Sequence, residues 1–211
     1  MCAIFGSKEL DKLLELADLN AYRGQHSHSL SVYNTRTKEL VTKRKCLGAF
    51  SLDGLETERG MFYVAHIQAP TTAASAIESI HPSVRRVGED LLWHNGIIKE
   101  GCIKSLKETY QSDLEWDTAL IHEAISHGYR QLDNVDGTYS CLQYDEGELF
   151  LFRNEISPMF IDDQLNISST KFQGSSPTEP NKAFMIDFTE NELLEVASFS
   201  TKENPYYFGN I

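Results

Sequence analysis

Cysteine at position two, directly behind the initiator methionine, is the residue in this chain best placed for nucleophilic chemistry. Removal of Met1 leaves Cys2 with a free α-amino group of ordinary pKa near ~8, close to the thiol's ~8.5. One residue then supplies both the attacking sulfur and the base that takes its proton, directly or through water. Acyl transfer also needs donors aimed at a developing oxyanion. His94-Asn95-Gly96 offers a side-chain amide beside a glycine N–H, and glycine lets the backbone approach closely. Asn-Gly is equally a common turn dipeptide, and a second-position cysteine is often incidental. The other cysteines, Cys46, Cys102 and Cys141, have irregular spacing and no Cys-x-x-Cys pair, so neither a zinc site nor a thioredoxin motif is expected. Cys141 lies in an apolar strand pattern and reads as a small core residue.

These groups need rigid elements to hold them. Cys2 to Phe5 reads as a short buried strand stopped by Gly6, which keeps the terminus from fraying. Lys8 to Asn20 reads as a helix with Leu10, Leu13, Leu14 and Ala17 on one face and Ser7 as its cap. A polar loop, Tyr22 to Ser27, follows. Strands are expected near Ser29–Tyr33, Leu40–Lys43, Met61–His66 and Asp90–His94. A long loop carrying Pro70, Pro82 and Gly88 precedes the last of these, and such loops are usually functional or mobile. Trp116 to His127 has a helical stripe of Trp116, Leu120, Ile121, Ala124 and Ile125, ended by Gly128. Tyr139–Tyr144 and Leu149–Arg153 flank Asp145-Glu146-Gly147 as a hairpin. Met159–Ile161 with Leu165–Ser169, and Ala183–Phe188 with Leu193–Phe199, repeat that pattern, and Gln173–Asn181 reads as an exposed loop. Few helices among many antiparallel strands predict an α+β domain.

With 211 residues, one domain spanning 1–211 is expected. No apolar run is long enough to span a membrane, and charged residues interrupt the start where a signal peptide would be apolar, so a cytoplasmic location is expected. The net charge of −12 opposes nucleic-acid and anionic-lipid binding. The short basic runs Lys43-Arg44-Lys45 and Arg85-Arg86 read as solvated faces. No cofactor and no metal is implied.

The motifs, taken in order, resemble the class II glutamine amidotransferases, most of all the glucosamine-6-phosphate synthase and glutamine phosphoribosylpyrophosphate amidotransferase branch. Cys2-Ala3-Ile4-Phe5-Gly6 resembles the start of that family. Tyr22-Arg23-Gly24-Gln25-His26-Ser27 is similar to its Tyr-Arg-Gly loop. His66-Ile67-Gln68-Ala69-Pro70-Thr71, Ile80-His81-Pro82, Leu92 to Ile98, Trp116-Asp117-Thr118, Asp136 to Tyr139 and Leu149 to Asn154 follow in the family's sequence. The likeness runs from residue 2 to about residue 170, which leaves 171–211 beyond it.

This resemblance implies a four-layer αββα sandwich of the N-terminal-nucleophile hydrolase type. It implies glutamine as substrate, a Cys2 γ-glutamyl thioester, and ammonia passed to a separate synthetase partner. Asn95 and Gly96 would hold the oxyanion. Asp117 would bind the α-ammonium, Thr71 would line the pocket, Arg23 would support the nucleophile's loop, and His94 would order the strand end. One position departs from the family: Gln68 stands where an arginine pairs with the substrate carboxylate, and a neutral amide cannot make that charged fork. Arg85 and Arg86 are candidates to replace it. An N-terminal-nucleophile amidase acting on another amide, or a catalytically silent binding or regulatory domain, are the alternatives.

Overall fold

The computed structural model describes residues 2–69, 80–86 and 89–201. They build two antiparallel sheets. The first contains β1 (Cys2–Ser7), β2 (Ser27–Asn34), β3 (Leu40–Leu47) and β4 (Met61–Gln68), with the two-residue strands β9 (Phe160–Ile161), β10 (Ile167–Ser168) and β11 (Ser176–Pro177). Its order is β11-β9-β10-β1-β4-β2-β3. The second contains β5 (Ser83–Arg85), β6 (Asp90–Ile98), β7 (Gly137–Asp145), β8 (Glu148–Arg153), β12 (Lys182–Asp187) and β13 (Glu192–Ser198), in the order β13-β12-β8-β7-β6-β5. Helix α1 (Leu10–Asn20) covers the outer face of the first sheet, while α2 (Glu100–Tyr110) and α3 (Asp117–Ile125) cover the second.

Strand alternation sorts the side chains into three buried layers. Ile4, Phe62, Val64, Leu91, Trp93, Leu142 and Leu151 meet between the sheets. Their neighbours Ala3, Phe5, Tyr63, Ala65 and Ile67 face outward against Leu13, Leu16 and Ala17 of α1. Leu92, Tyr139, Cys141 and Phe152 pack on Cys102, Leu106, Leu120, Ile121 and Ala124 of α2 and α3. The result is the four-layer αββα arrangement.

Several elements differ from the sequence reading. Strand β1 continues through Gly6 to Ser7 because its backbone pairs on both sides: Gly6 lies opposite Val64 of β4 and Ile167 of β10. In α1, Leu16 is buried and Leu14 is 44% exposed, as a stripe through Leu13, Leu16, Ala17 and Asn20 requires. Ser7 assists the entry to α1, accepting from Glu9 N–H at 2.9 Å, but does not occupy the cap position itself. Helix α2 has no counterpart in the sequence reading. Two of the residues expected in an exposed loop, Ser176 and Pro177, pair with β9 instead.

Candidate active site

The nucleophile's position is fixed by strand register. Cys2 lies opposite Gln68 of β4, and Gln68 in turn lies opposite Ser27 of β2. One level further in, Ile4, His66 and Ser29 form the next row on the same face. The outer side of β1 is closed by Ser169, whose N–H donates to Ile4 O at 2.9 Å and whose Oγ accepts from Ile4 N–H at 3.0 Å. Both ties hold the terminal strand against fraying.

The loop after α1 closes over this edge. Arg23 donates through Nε to Thr170 Oγ1 (3.0 Å) and Tyr22 OH (3.1 Å). Asn20 anchors the same segment, accepting from Thr170 Oγ1 at 2.8 Å and donating to Ser168 Oγ at 2.9 Å. Gly24 is required by contact: a Cβ there would stand 2.2 Å from the Ala69 nitrogen. Burial pushes the Cys2 thiol up to about 11, the Asp117 carboxylate adds to that, and the Arg23 guanidinium opposes it.

The second sheet presents its motif at the same end. At the far end of the sandwich, Tyr33 OH donates to Gly147 O and Tyr144 OH donates to Lys38 O, both at 2.9 Å. At the near end, His66 Nε2 meets His94 O at 3.2 Å. β4 and β6 therefore run alongside each other in the same sense. Beyond His66 comes Gln68 with Cys2 beside it, and beyond His94 come Asn95 and Gly96. β1 lies against β6 across this interface.

Asn95 is buried. Its Nδ2 donates to Ser140 Oγ at 3.3 Å, and its carbonyl accepts from Ser157 Oγ at 3.0 Å. The amide nitrogen carries a second N–H with no acceptor among the described residues. At Gly96 a Cβ would lie 1.8 Å from Thr138 O, so no other residue fits there without moving β7. Asp117 opens α3, where the helix dipole favours an anion. It accepts from Thr118 N–H (2.8 Å) and Ile98 N–H (3.4 Å), which ties α3 to the end of β6.

The expected residues thus fall into two facing groups, Cys2, Gln68 and Arg23 on one sheet edge and His94, Asn95, Gly96 and Asp117 on the other. Thr71 lies outside the described residues. Arg85 and Arg86 do not belong to the site. Arg85 pairs with Glu123 (2.8 Å) and Arg86 with Asp145 (3.1 Å), both within 4 Å of Asp90. Asp90 starts β6, five residues from Asn95, so these cations sit roughly 16 Å along the strand from the motif. Lys45, expected on a solvated face, instead turns inward and donates to Pro82 O at 2.6 Å. A cavity of about 530 Å³ lined by Val32, Lys43, Leu55 and Tyr63 opens on the outer face of the first sheet, towards the opposite end of β4. It is remote from the cysteine. Among the described residues no His, Cys, Asp and Glu group could hold a metal ion.

The sequence reading placed His66, Asn154 and Thr118 in motifs without giving them a role, and did not single out Ser140 or Ser157. Asn154 accepts from three backbone N–H groups and donates to Gly137 O, fixing the segment that brings Ser157 to Asn95. Serine and asparagine are too common for sequence to mark them.

No protein-family model and no curated protein matches the sequence. The fold does match solved structures. Glutamine phosphoribosylpyrophosphate (PRPP) amidotransferase from B. subtilis, complexed with ADP and GMP, superposes with a TM-score of 0.67 at 18% identity, over 92% of this chain and 49% of that one. A structure described as the allosteric regulatory enzyme of purine biosynthesis superposes with a TM-score of 0.67 at 17% identity, over 92% and 48%. The chain shares the four-layer αββα fold of these structures. It spans about half the length of the solved structures it matches.

Proposed function

We propose that this chain is a glutamine-hydrolysing domain of the class II glutamine amidotransferase type, working in the cytoplasm with Cys2 as nucleophile. The reading is carried by one observation: strand register sets Cys2 beside Gln68, and the His66 to His94 tie aligns that row with Asn95-Gly96 on the facing sheet.

With Met1 removed, the α-amine of Cys2 takes the thiol proton and the sulfur attacks the side-chain amide carbon of glutamine. The oxyanion is met by the second N–H of Asn95 Nδ2 and by the Gly96 N–H. The amine returns the proton to the departing nitrogen, and ammonia leaves. Water then cleaves the γ-glutamyl thioester to glutamate and restores the thiol. Asp117 takes the substrate α-ammonium. Arg23, whose hydrogen-bond partners are hydroxyls and a carbonyl, takes the α-carboxylate where Gln68 cannot. The released ammonia serves a separate synthetase partner.

Gln68 favours a second reading, an N-terminal-nucleophile amidase for a different amide. Its Oε1 is buried beside Cys2 with no hydrogen-bond partner among the described residues, so it suits a substrate N–H better than a carboxylate.

Glutamate release by Met-processed protein, against Cys2→Ala, tests the proposal. Wild type is expected to turn over glutamine and to be labelled at Cys2 by 6-diazo-5-oxo-norleucine, while the variant does neither. Equal rates in the two proteins would remove Cys2 from the chemistry. Turnover of another amide but not glutamine selects the amidase. Absence of both selects a silent binding domain.

A further inference from the structure

Two buried histidines from separate segments converge on one hydroxyl, and a third, His66, packs against both. Thr118 Oγ1 lies 3.1 Å from His81 Nε2 and 3.1 Å from His94 Nδ1. The rings of His66 and His81 stack with centroids 3.9 Å apart, and Trp116 meets His81 edge-on at 4.8 Å.

The proton positions follow from the partners. Carbonyl oxygens only accept, so His66 Nε2–H donates to His94 O and His94 Nε2–H donates to Thr138 O (3.4 Å). A neutral imidazole has one N–H. His94 Nδ1 is therefore an acceptor, and the Thr118 hydroxyl supplies its proton at 3.1 Å in preference to the more distant Asp117 Oδ1 at 3.4 Å. With that hydrogen spent, Oγ1 accepts from His81 Nε2–H. Among the described residues the unprotonated Nδ1 atoms of His66 and His81 have no partner. Neutrality is enforced by burial, which depresses all three rings, His66 to about 3.

Thr118 follows Asp117, and His94 precedes Asn95. One hydroxyl thus bolts the strand end that carries the oxyanion donors to the helix start that carries the ammonium-binding carboxylate. We infer that Thr118 is a positioning residue for the acyl-transfer site, fixing Asn95-Gly96 relative to Asp117 through His94 and His81. The inference rests on the glutaminase reading above and adds to it a residue that touches neither substrate nor nucleophile.

Two variants and one spectrum test it. Thr118→Val keeps the shape and removes the hydroxyl, while Thr118→Ser keeps the hydroxyl. Val is expected to lower kcat/KM about tenfold or more with a fall in kcat as well as a rise in KM, and Ser to stay within about threefold of wild type. Alkylation of Cys2 by iodoacetamide is expected to keep its wild-type rate in both, which excludes general loss of structure. Imidazole 15N spectra of wild type are expected to report Nε2–H tautomers for His66, His81 and His94. A Val variant with wild-type kinetics, or an Nδ1–H tautomer at His94 in wild type, overturns the inference. If wild type shows no glutaminase activity the functional reading fails by itself, and the tautomers still decide whether the bolt exists.

Discussion

On the proposed glutaminase reading, substrate recognition turns on Arg23. Among the described residues its partners are Thr170, Tyr22 and the Ser169 carbonyl, all neutral, while its charge acts on the Cys2 thiol. Sequence supplied this position as a support for the loop, and supplied Arg85 and Arg86 as carboxylate ligands. In the structure those two are already paired with Glu123, Asp145 and Asp90. Pairing of this kind is invisible in sequence: Asp145 is 59 residues from Arg86. Replacing Arg23 by Gln removes a charge-assisted contact, so KM for glutamine is expected to rise by about tenfold or more. The thiol, deprived of a nearby cation, is expected to titrate above its present value of about 11. Steady-state kinetics and the pH dependence of Cys2 alkylation measure the two effects. An unchanged KM would return the carboxylate to some other group.

Elements with strong alternation were legible and weakly amphipathic ones were not. β4 writes its layers plainly, with Phe62, Val64 and His66 inward and Tyr63, Ala65 and Ile67 toward α1. Helix α2 buries only Cys102 and Leu106 in a stretch otherwise polar, so its face is too narrow to read. Its end is also concealed, because the residue in the left-handed conformation is Gln111 (φ 51°, ψ 44°) and no glycine marks it. Ser112 N–H and Gln111 N–H both return to Lys107 O, a closed helix end that normally favours glycine. Gln111→Gly is expected to raise stability by about 1 kcal/mol, since the side chain's left-handed penalty disappears. Urea denaturation, with an unchanged slope and a higher midpoint, is the measurement. A lower midpoint would mean that the Gln111 side chain makes a contact worth more than the strain.

At the scale of the whole molecule, sequence could supply the strands but not their neighbours. β1 is flanked by β4 and by β10, some 60 and 160 residues away along the chain. Sandwiching those sheets buries a polar seam at the active end, where His66, His81 and His94 are held neutral while Lys45 lies near the first two and Asp117 near the third. The unfolded chain protonates these rings near pH ~6.5, whereas burial in the folded state holds His66 down to about 3, His81 well below its ordinary value and His94 below it. Below ~6.5 the unfolded state therefore binds more protons, and stability must fall as pH falls. Each ring contributes up to roughly 1.4 kcal/mol per pH unit, so three together remove at most roughly 4 kcal/mol per unit, against a typical total of about 5–15. Asp90, held below its usual range by His122 and Gln143 despite its burial, adds to the loss at more acid pH, once the unfolded carboxylates begin to protonate. The protein is thus expected to lose most of its stability between pH 6.5 and about 4, well before its carboxylates are neutralised. Urea midpoints measured across that range should fall steeply, and His81→Gln should flatten the slope by about a third, one proton of three. A midpoint that stays level from pH 7 to 5 would show that the histidines are already charged inside the fold, and the hydrogen-bond directions assigned to Thr118 would have to be reversed with them.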